Sequence, residues 1–449
     1  MGRLFGTDGV RGVANTELTG EMAFLLGRAG AYVLSGETRH KPKILVGKDT
    51  RRSGDMLENA MVAGICAAGA EAVLAGVIPT PAVACLVRKY GYDAGVVISA
   101  SHNPAEFNGI KFFNSEGFKL SDAIEERIEN IILYHSEPLP SPVGEEIGTL
   151  TTLKTAVEDY VDFALKAIHT DLKGLKIAID CANGAASETS PAALRKLGAE
   201  LLVINDNPDG ININKNCGST HLEMLKNFTV DNGCDIGLAF DGDADRVLAI
   251  DEKGEMVDGD RMMAIIGVDL KKKGQLRNNT IVATVMSNMG FDVMAGENGL
   301  DIVKTLVGDR YVLEKMIEGD FILGGEQSGH IIIKTHNTTG DGLVTALMLL
   351  SVLKESGGSL SGLASIMTIF PQVLRNARVS NDKKNSYRED PIIEHHCNEL
   401  EKAFHGEGRV LIRPSGTEPL VRVMIEGRDQ NYITNKALEL VRIIEDRLK

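Results

Sequence analysis

Four short stretches of the chain concentrate side chains that can do chemistry. The first is Ile98-Ser99-Ala100-Ser101-His102-Asn103-Pro104, directly after the apolar run Gly95 to Ile98. A serine in a tight turn after a buried strand presents its hydroxyl at the carboxyl edge of a sheet, where α/β folds bind ligands. Ser101 is therefore a candidate nucleophile in an exposed turn. The plainer alternative is a Ser or Asn cap before a helix starting near Pro104. A Ser-His hydrolase fits poorly, because adjacent residues rarely face each other as nucleophile and base, and no G-x-S-x-G elbow is present. The second stretch is Phe240-Asp241-Gly242-Asp243-Ala244-Asp245-Arg246, after Ile236 to Phe240. Carboxylates at i, i+2 and i+4 can converge on one hard cation. An EF-hand loop would place Glu252 at position 12, but position 6 is Arg246 where that loop needs glycine, and the flanks read as strands. A solvated acidic turn is the bland alternative, and three clustered anions without a counter-ion repel strongly.

The third stretch is Gly324-Gly325-Glu326-Gln327-Ser328-Gly329-His330, after Phe321 to Leu323, which reads as a short strand. Its glycines let a ligand approach closely, and Glu326 and Ser328 can accept from and donate to sugar hydroxyls. A polar turn is the alternative. The fourth is Arg413-Pro414-Ser415-Gly416-Thr417-Glu418-Pro419. One guanidinium, two hydroxyls and the N–H groups around Gly416 describe a phosphate cradle, with a plain turn as the alternative. No G-x-x-x-x-G-K-[ST] occurs, so a nucleotide-driven kinase lacks its usual phosphate loop.

These stretches need a scaffold, and the chain repeats one. Lys43 to Asp49 reads as a strand, with a helix from Met56 to Gly69 and a strand Ala72 to Ile78. Lys176 to Asp180, a helix from Pro191 to Gly198 and Glu200 to Asn205 repeat the pattern, and Thr280 to Met286 opens a third copy whose helix ends near Gly299. Strand, helix, Gly stop, strand is a βαβ unit. Continuous apolar strands imply mainly parallel sheets covered on both faces. The expected fold is thus three related α/β domains with mainly parallel sheets and a smaller C-terminal α+β domain. Polar or Pro/Gly-rich stretches place the domains at 1–150 (serine loop), 151–255 (metal loop), 256–370 (sugar loop) and 371–449 (phosphate loop). In the last, Leu420 to Glu426 alternates, with Val421, Val423 and Ile425 on one face and Arg422, Met424 and Glu426 on the other.

Composition narrows the function. Over 449 residues, 62 acidic against 48 basic side chains give a net charge of −14, which argues against nucleic-acid binding. A negatively charged substrate would need a local basic pocket. Six scattered cysteines without a C-x-x-C pair read as reduced, buried thiols, as a cytoplasmic protein carries. The first residues hold no signal-peptide core, Gly6 breaks the myristoylation pattern, and no apolar run spans a bilayer, so no membrane association is expected.

Taken together and in this order, the four motifs resemble those of the α-D-phosphohexomutase superfamily over nearly the whole chain. The opening Phe5-Gly6-Thr7-Asp8-Gly9-Val10-Arg11-Gly12 resembles that family's N-terminal loop. The wording of the serine and Gly-Glu-Gln-Ser-Gly-His loops is most similar to the branch acting on glucosamine phosphates. The resemblance implies that the four domains surround a central cleft and that Ser101 is phosphorylated. It implies one Mg²⁺ per active site, on Asp241, Asp243, Asp245 and the Ser101 phosphate. Arg246 would stand beside the phosphoryl group, with Lys111 and His330 serving proton transfer or charge neutralisation. Substrate contacts would come from Thr7, Arg11, Glu326, Ser328, Arg413, Ser415, Gly416 and Thr417. The implied reaction interconverts glucosamine 6-phosphate and glucosamine 1-phosphate through the 1,6-bisphosphate, feeding nucleotide-activated amino-sugar and cell-wall synthesis. Glucose or mannose phosphates are the alternative substrates, a non-catalytic phosphosugar binder is the distant alternative, and a homodimer is left open.

Overall fold

In the computed structural model, which describes residues 4–6, 8–36, 40–415 and 418–449, each of the three apolar runs opens a parallel strand–helix–strand unit. The first sheet holds β1 (Val10–Val13), β2 (Lys43–Lys48), β3 (Glu71–Val77), β4 (Ala94–Ile98), β5 (Phe107–Asn114) and β6 (Leu150–Thr152), in the order β1-β5-β4-β2-β3-β6. The second holds β7 (Lys176–Asp180), β8 (Glu200–Ile204), β9 (Ile236–Phe240), β10 (Val247–Asp251) and β11 (Met256–Val257), in the order β11-β10-β9-β7-β8. The third holds β12 (Thr280–Thr284), β13 (Asp301–Thr305), β14 (Leu323–Gly325) and β15 (Ile331–Ile333), in the order β13-β12-β14-β15.

The three sheets keep the expected parallel strands at their centres, and each adds antiparallel strands in the same way. A parallel neighbour of the opening strand (β4, β9, β14) runs into a loop and returns as an antiparallel strand (β5, β10, β15). Each of the first three chemical motifs is that loop. β14 lies two residues later than Phe321 to Leu323, because Gly324 and Gly325 themselves join the ladder between β12 and β15. The helix of the second unit spans Ala186–Lys196, so Pro191 sits inside it and not at its start. A tertiary bond moved that boundary: the Ala185 N–H donates to the Gly242 carbonyl at 2.8 Å and sets the chain direction six residues before the proline.

The chain divides into two compact units, Met1–Met286 with Gly299–Ile366, and Ser287–Asn298 with Met367–Lys449. The second unit carries the antiparallel sheet β16 (Gln372–Arg378), β17 (Gly408–Pro414) and β18 (Leu420–Gly427), ordered β16-β18-β17. Val421, Val423 and Ile425 pack in its core with Ile433 and Ile444 of the last helix, as the alternation predicts. The opposite face is not simply solvent-facing, since Met424 and Glu426 are buried too. The Glu426 carboxylate accepts from Arg409 Nε at 2.5 Å, Gln372 Nε2 at 3.2 Å, Asn288 Nδ2 at 3.3 Å and the Met289 N–H at 3.2 Å. Arg409 also donates to the Ser287 carbonyl at 2.5 Å. Among the described residues no helix is long and apolar enough to cross a membrane.

In the first unit, helices Gly20–Ser35 and Ser53–Ala67 pack tightly against each other. A Cβ at Gly64 would stand against the Phe24 carbonyl and 2.8 Å from the Arg28 nitrogen, both backbone atoms that cannot step aside. Gly296, in helix Met289–Glu297, is exposed with open space around it. Removing a helical glycine gains up to about 1 kcal/mol of propensity, whereas overpacking costs about 1–3 kcal/mol. Gly64→Ala should therefore lower the thermal midpoint and Gly296→Ala should leave it unchanged or raise it slightly. Equal shifts in the two variants would refute the packing account.

Candidate active site

The Ser101 loop does not begin a helix at Pro104. It is a chain of turns leading into β5. Ser101 has a φ of 52°, a left-handed conformation that is uncommon for a residue with a side chain. It is also buried at 1% exposure, where an exposed turn was expected. The reason is the second loop: the Ser101 hydroxyl donates to Asp241 Oδ2 at 2.6 Å, and Asn214 Nδ2 donates to the Ser101 carbonyl at 2.8 Å. This approach requires Gly242, where a Cβ would stand 2.5 Å from the Ser101 carbonyl oxygen and 2.8 Å from the Asn214 amide nitrogen.

Asp241, Asp243 and Asp245 are all buried, with one ligand oxygen from each within 4.8 Å of the others. Burial, then Asp245 and Asp243, push the Asp241 carboxyl well above the usual range, the mark of anions packed together. Asp243 Oδ2 is held by the Thr80 hydroxyl at 2.6 Å and Lys111 Nζ at 2.8 Å, whereas Asp243 Oδ1 and Asp245 Oδ1 are buried with no hydrogen-bond partner. Two orphaned carboxylate oxygens beside Asp241 and the Ser101 hydroxyl form an all-oxygen donor set suited to a hard divalent cation.

Cations surround this cluster. Lys111 lies between Asp243, Asp8 Oδ2 at 3.1 Å and Asp245 Oδ2 at 4.0 Å. Burial alone would lower its pKa, but Asp243, Asp8 and Asp245 overcome this and raise it, so Lys111 stays charged. The Arg246 N–H donates to Asp241 Oδ1 at 3.2 Å, and its guanidinium reaches within 3.8 Å of Asp245 Oδ1 and 3.3 Å of His102 Nδ1. His102 Nδ1 is also 3.2 Å from Ser101 Oγ, so the adjacent residues do face each other. Burial, then Arg246 and Arg11, hold the His102 pKa below its ordinary value, and the Ser101 proton points to Asp241. His330 faces Asp245 Oδ2 with Nδ1 at 3.4 Å, while its Nε2 accepts the Gly340 N–H at 3.1 Å. Burial would lower the His330 pKa, but Asp245 and Asp309 raise it, and its Nε2 also stands 3.6 Å from Asp309 Oδ2.

The N-terminal loop joins the same cluster. Arg11, on β1, pairs with Asp8. Burial would raise the Asp8 pKa, but Lys111, Lys119 and Arg11 hold it well below the carboxylate range. Lys119 bridges Asp8, at 2.5 Å, and Asp309. In the third loop, Glu326 Oε1 accepts the Gly308 N–H at 3.1 Å and Ser328, exposed, lies 3.4 Å from Glu326 Oε2. Arg413 and Ser415 belong to the second unit. Arg413 faces Arg422 across the β17–β18 pair, and burial together with Arg422 depresses its pKa, a strain that a bound anion would relieve. The Ser415 hydroxyl accepts the Glu418 N–H at 3.2 Å. Thr7, Gly416 and Thr417 lie outside the described residues.

The structure thus brings together Ser101, the three aspartates, Arg246, Lys111 and His330, with Arg11 attached through Asp8. Sequence reasoning missed Thr80, His102, Lys119, Asn214 and Asp309. Asp8 and His102 lay in plain view, inside the quoted N-terminal and serine loops, but without a role of their own.

The four phosphoglucomutase/phosphomannomutase domain models match in order. Alpha/beta/alpha domains I, II and III cover residues 2–138, 158–254 and 258–370, and the C-terminal domain covers 374–442. The phosphoglucosamine mutases of Acetivibrio thermocellus and Ruminiclostridium cellulolyticum are 65% and 64% identical to the chain, each over 448 residues and the full length of both partners. In fold, the chain resembles a phosphoglucomutase/phosphomannomutase family protein of Burkholderia thailandensis, with a TM-score of 0.84 at 23% identity, covering 99% of this chain and 97% of that one. It also resembles the N-acetylphosphoglucosamine mutase of Aspergillus fumigatus solved with GlcNAc-6P and magnesium, with a TM-score of 0.70 at 17% identity, covering 99% and 96%. With such identity along whole chains and all four domains in sequence, this chain belongs to the phosphoglucosamine mutase family of the α-D-phosphohexomutases.

Proposed function

We infer that the chain interconverts glucosamine 6-phosphate and glucosamine 1-phosphate, with Ser101 as the phosphoryl carrier and one Mg²⁺ held by Asp241, Asp243 and Asp245. The observation that carries this reading is the Ser101 hydroxyl 2.6 Å from Asp241, in a cluster whose Asp243 and Asp245 each keep an unpartnered oxygen. The names of its full-length relatives support the choice of sugar. The six unpaired thiols support a reducing, cytoplasmic setting, with burial raising Cys85 and Cys217 to about 12 and Cys397 to about 11.

Phosphoryl transfer needs positioning and charge neutralisation more than covalent assistance. In the forward direction the sugar's free hydroxyl attacks the phosphorus on Ser101. The new sugar O–P bond forms as the Ser101 Oγ–P bond breaks, and the proton lost by the sugar hydroxyl is balanced by the one that Ser101 Oγ takes up as it becomes a hydroxyl again. The 1,6-bisphosphate reorients, and its other phosphoryl returns to Ser101. When bound, Mg²⁺ supplies positive charge to the phosphoryl oxygens. Arg246 adds a second cation beside Ser101. Lys111, held charged, serves as a fixed counter-charge on Asp243 and Asp8 and not as a proton acceptor. His330 orients Asp245 through Nδ1. Glu326 and Ser328 offer an acceptor and a donor to sugar hydroxyls, Arg11 lies beside Asp8 in the N-terminal loop, and Thr7 falls in the same loop. In the second unit, Arg413 with Ser415, Gly416 and Thr417 is read as the grip on the phosphate that is not reacting.

Four measurements test this reading. Ser101→Ala should lose activity by about a thousandfold or more and carry no phosphate by mass spectrometry. Near-parental turnover would sink the carrier role. Asp243→Asn should raise the Mg²⁺ concentration for half-maximal rate by about tenfold or more, because one anionic ligand becomes neutral. An unchanged titration removes Asp243 from the metal site. A charge-assisted hydrogen bond is worth about 1.5–3 kcal/mol, so Arg413→Ala should raise KM for both monophosphates by about ten- to a hundredfold while Ser101 is still phosphorylated. An unchanged KM would make that turn structural. Parallel rates with glucose and mannose phosphates decide the sugar, and equal efficiencies would overturn the preference for glucosamine.

A further inference from the structure

Arg51 has no part in the reaction as described, yet every N–H of its guanidinium meets a protein acceptor. Nε donates to Asp49 Oδ2 at 2.8 Å, and Nη2 donates to the carbonyls of Ser101 and Asn103, both at 2.8 Å. Nη1 donates to the carbonyls of Pro104 and, at 3.0 Å, Phe107. Neither side chain of the Arg51–Asp49 pair is exposed at all. Asp49 Oδ2 also accepts the Ser99 hydroxyl at 2.6 Å, and Ser99 Oγ accepts the Ser101 N–H at 2.9 Å.

Both backbone polar groups of Ser101 are therefore tied to one buried ion pair, its C=O directly and its N–H through Ser99. A buried ion pair is weak evidence of a stabilising role, since apolar replacements of similar volume often serve stability as well or better. What an apolar residue could not do is donate to four carbonyls of one loop. Ser101 needs that restraint, because its φ of 52° disfavours a side chain and a freed loop would relax toward a commoner conformation. Relaxation would turn the hydroxyl away from Asp241. We propose that Arg51 is a positioning residue which, with Asp49 and Ser99, holds Ser101 in the left-handed conformation that aims its oxygen into the metal cluster.

The proposal rests on the reading of Ser101 as the phosphoryl carrier. Its test compares kcat, KM for glucosamine 6-phosphate, the Mg²⁺ titration and the thermal midpoint in Arg51→Lys, Ser99→Ala and Ser101→Ala. Lysine keeps the charge against Asp49 but loses the planar fork. Misplacing a reacting group by about 1 Å can cost about a hundredfold in rate. Arg51→Lys should lower kcat by about ten- to a hundredfold with KM within about threefold of the parent, and it should raise the Mg²⁺ concentration for half-maximal rate, because the Ser101 oxygen is one of the donors around the cation. Ser99→Ala, which cuts only the N–H link, should show the same pattern at about three- to tenfold. If both variants keep kcat within about twofold, or if KM rises in step with the loss, the positioning role is overturned. Should Arg51→Lys fail to fold, Ser99→Ala decides by the same criterion. An active Ser101→Ala would overturn the carrier reading itself, whereas an inactive one beside normal Arg51→Lys and Ser99→Ala would overturn only the positioning role.

Discussion

Three carboxylates buried within 4.8 Å of one another are the constraint around which this protein is arranged. Two unit charges about 4 Å apart repel by about 4 kcal/mol at an effective dielectric of about 20. Each neighbour of Asp241, Asp243 and Asp245 can be understood as an answer to that repulsion. Lys111 and Thr80 take one oxygen of Asp243, His330 faces Asp245, and the Arg246 backbone N–H serves Asp241. Compensation then propagates, because Lys111 is shared with Asp8, Asp8 with Lys119, and Lys119 with Asp309. The oxygens left without a partner are the ones a dication would take.

The fold solves the problem of assembling such a cluster by repetition. In each of the first three sheets a parallel strand enters a loop and leaves antiparallel, and that loop carries one kind of chemistry: a hydroxyl, a set of carboxylates, or uncharged and acidic polar groups between glycines. The reversal at each loop also explains why Ser101 meets Asp241 across 140 residues of sequence. Two loops of equivalent origin, one from each sheet, close on each other through Gly242.

Much of this was legible in the order of residues. The βαβ units show in β-branched runs and glycine stops, and the site loops show because chemistry needs unusual side chains in unusual turns. What the sequence hides is long-range. Thr80, 163 residues from Asp243, looks like an ordinary helix start before Pro81. Asp309 and Lys119 sit in locally unremarkable polar contexts. Pro191 marks a helix start by local rules, and the Ala185 bond to Gly242 overrides them. Ser101 reads as exposed because turns usually are, and only the approach of the second loop buries it. The mixed strand directions escape for a related reason: an apolar strand buried on both faces does not reveal which way its neighbour runs.

The buried Glu426 has a consequence for how this chain can be cut or exchanged. Its hydrogen-bond donors include Asn288 and the Met289 N–H, far upstream of the strand that carries it, and Arg409 ties the same carboxylate to the Ser287 carbonyl. A C-terminal fragment beginning near residue 371 would therefore leave a desolvated carboxylate short of partners that it cannot recruit locally. A hybrid enzyme joined at that boundary would inherit the same defect unless the donor of the tail also supplied residues 287–298. The portable piece of this protein is discontinuous in the gene, so recombination can move it intact only by exchanging two separate stretches at once.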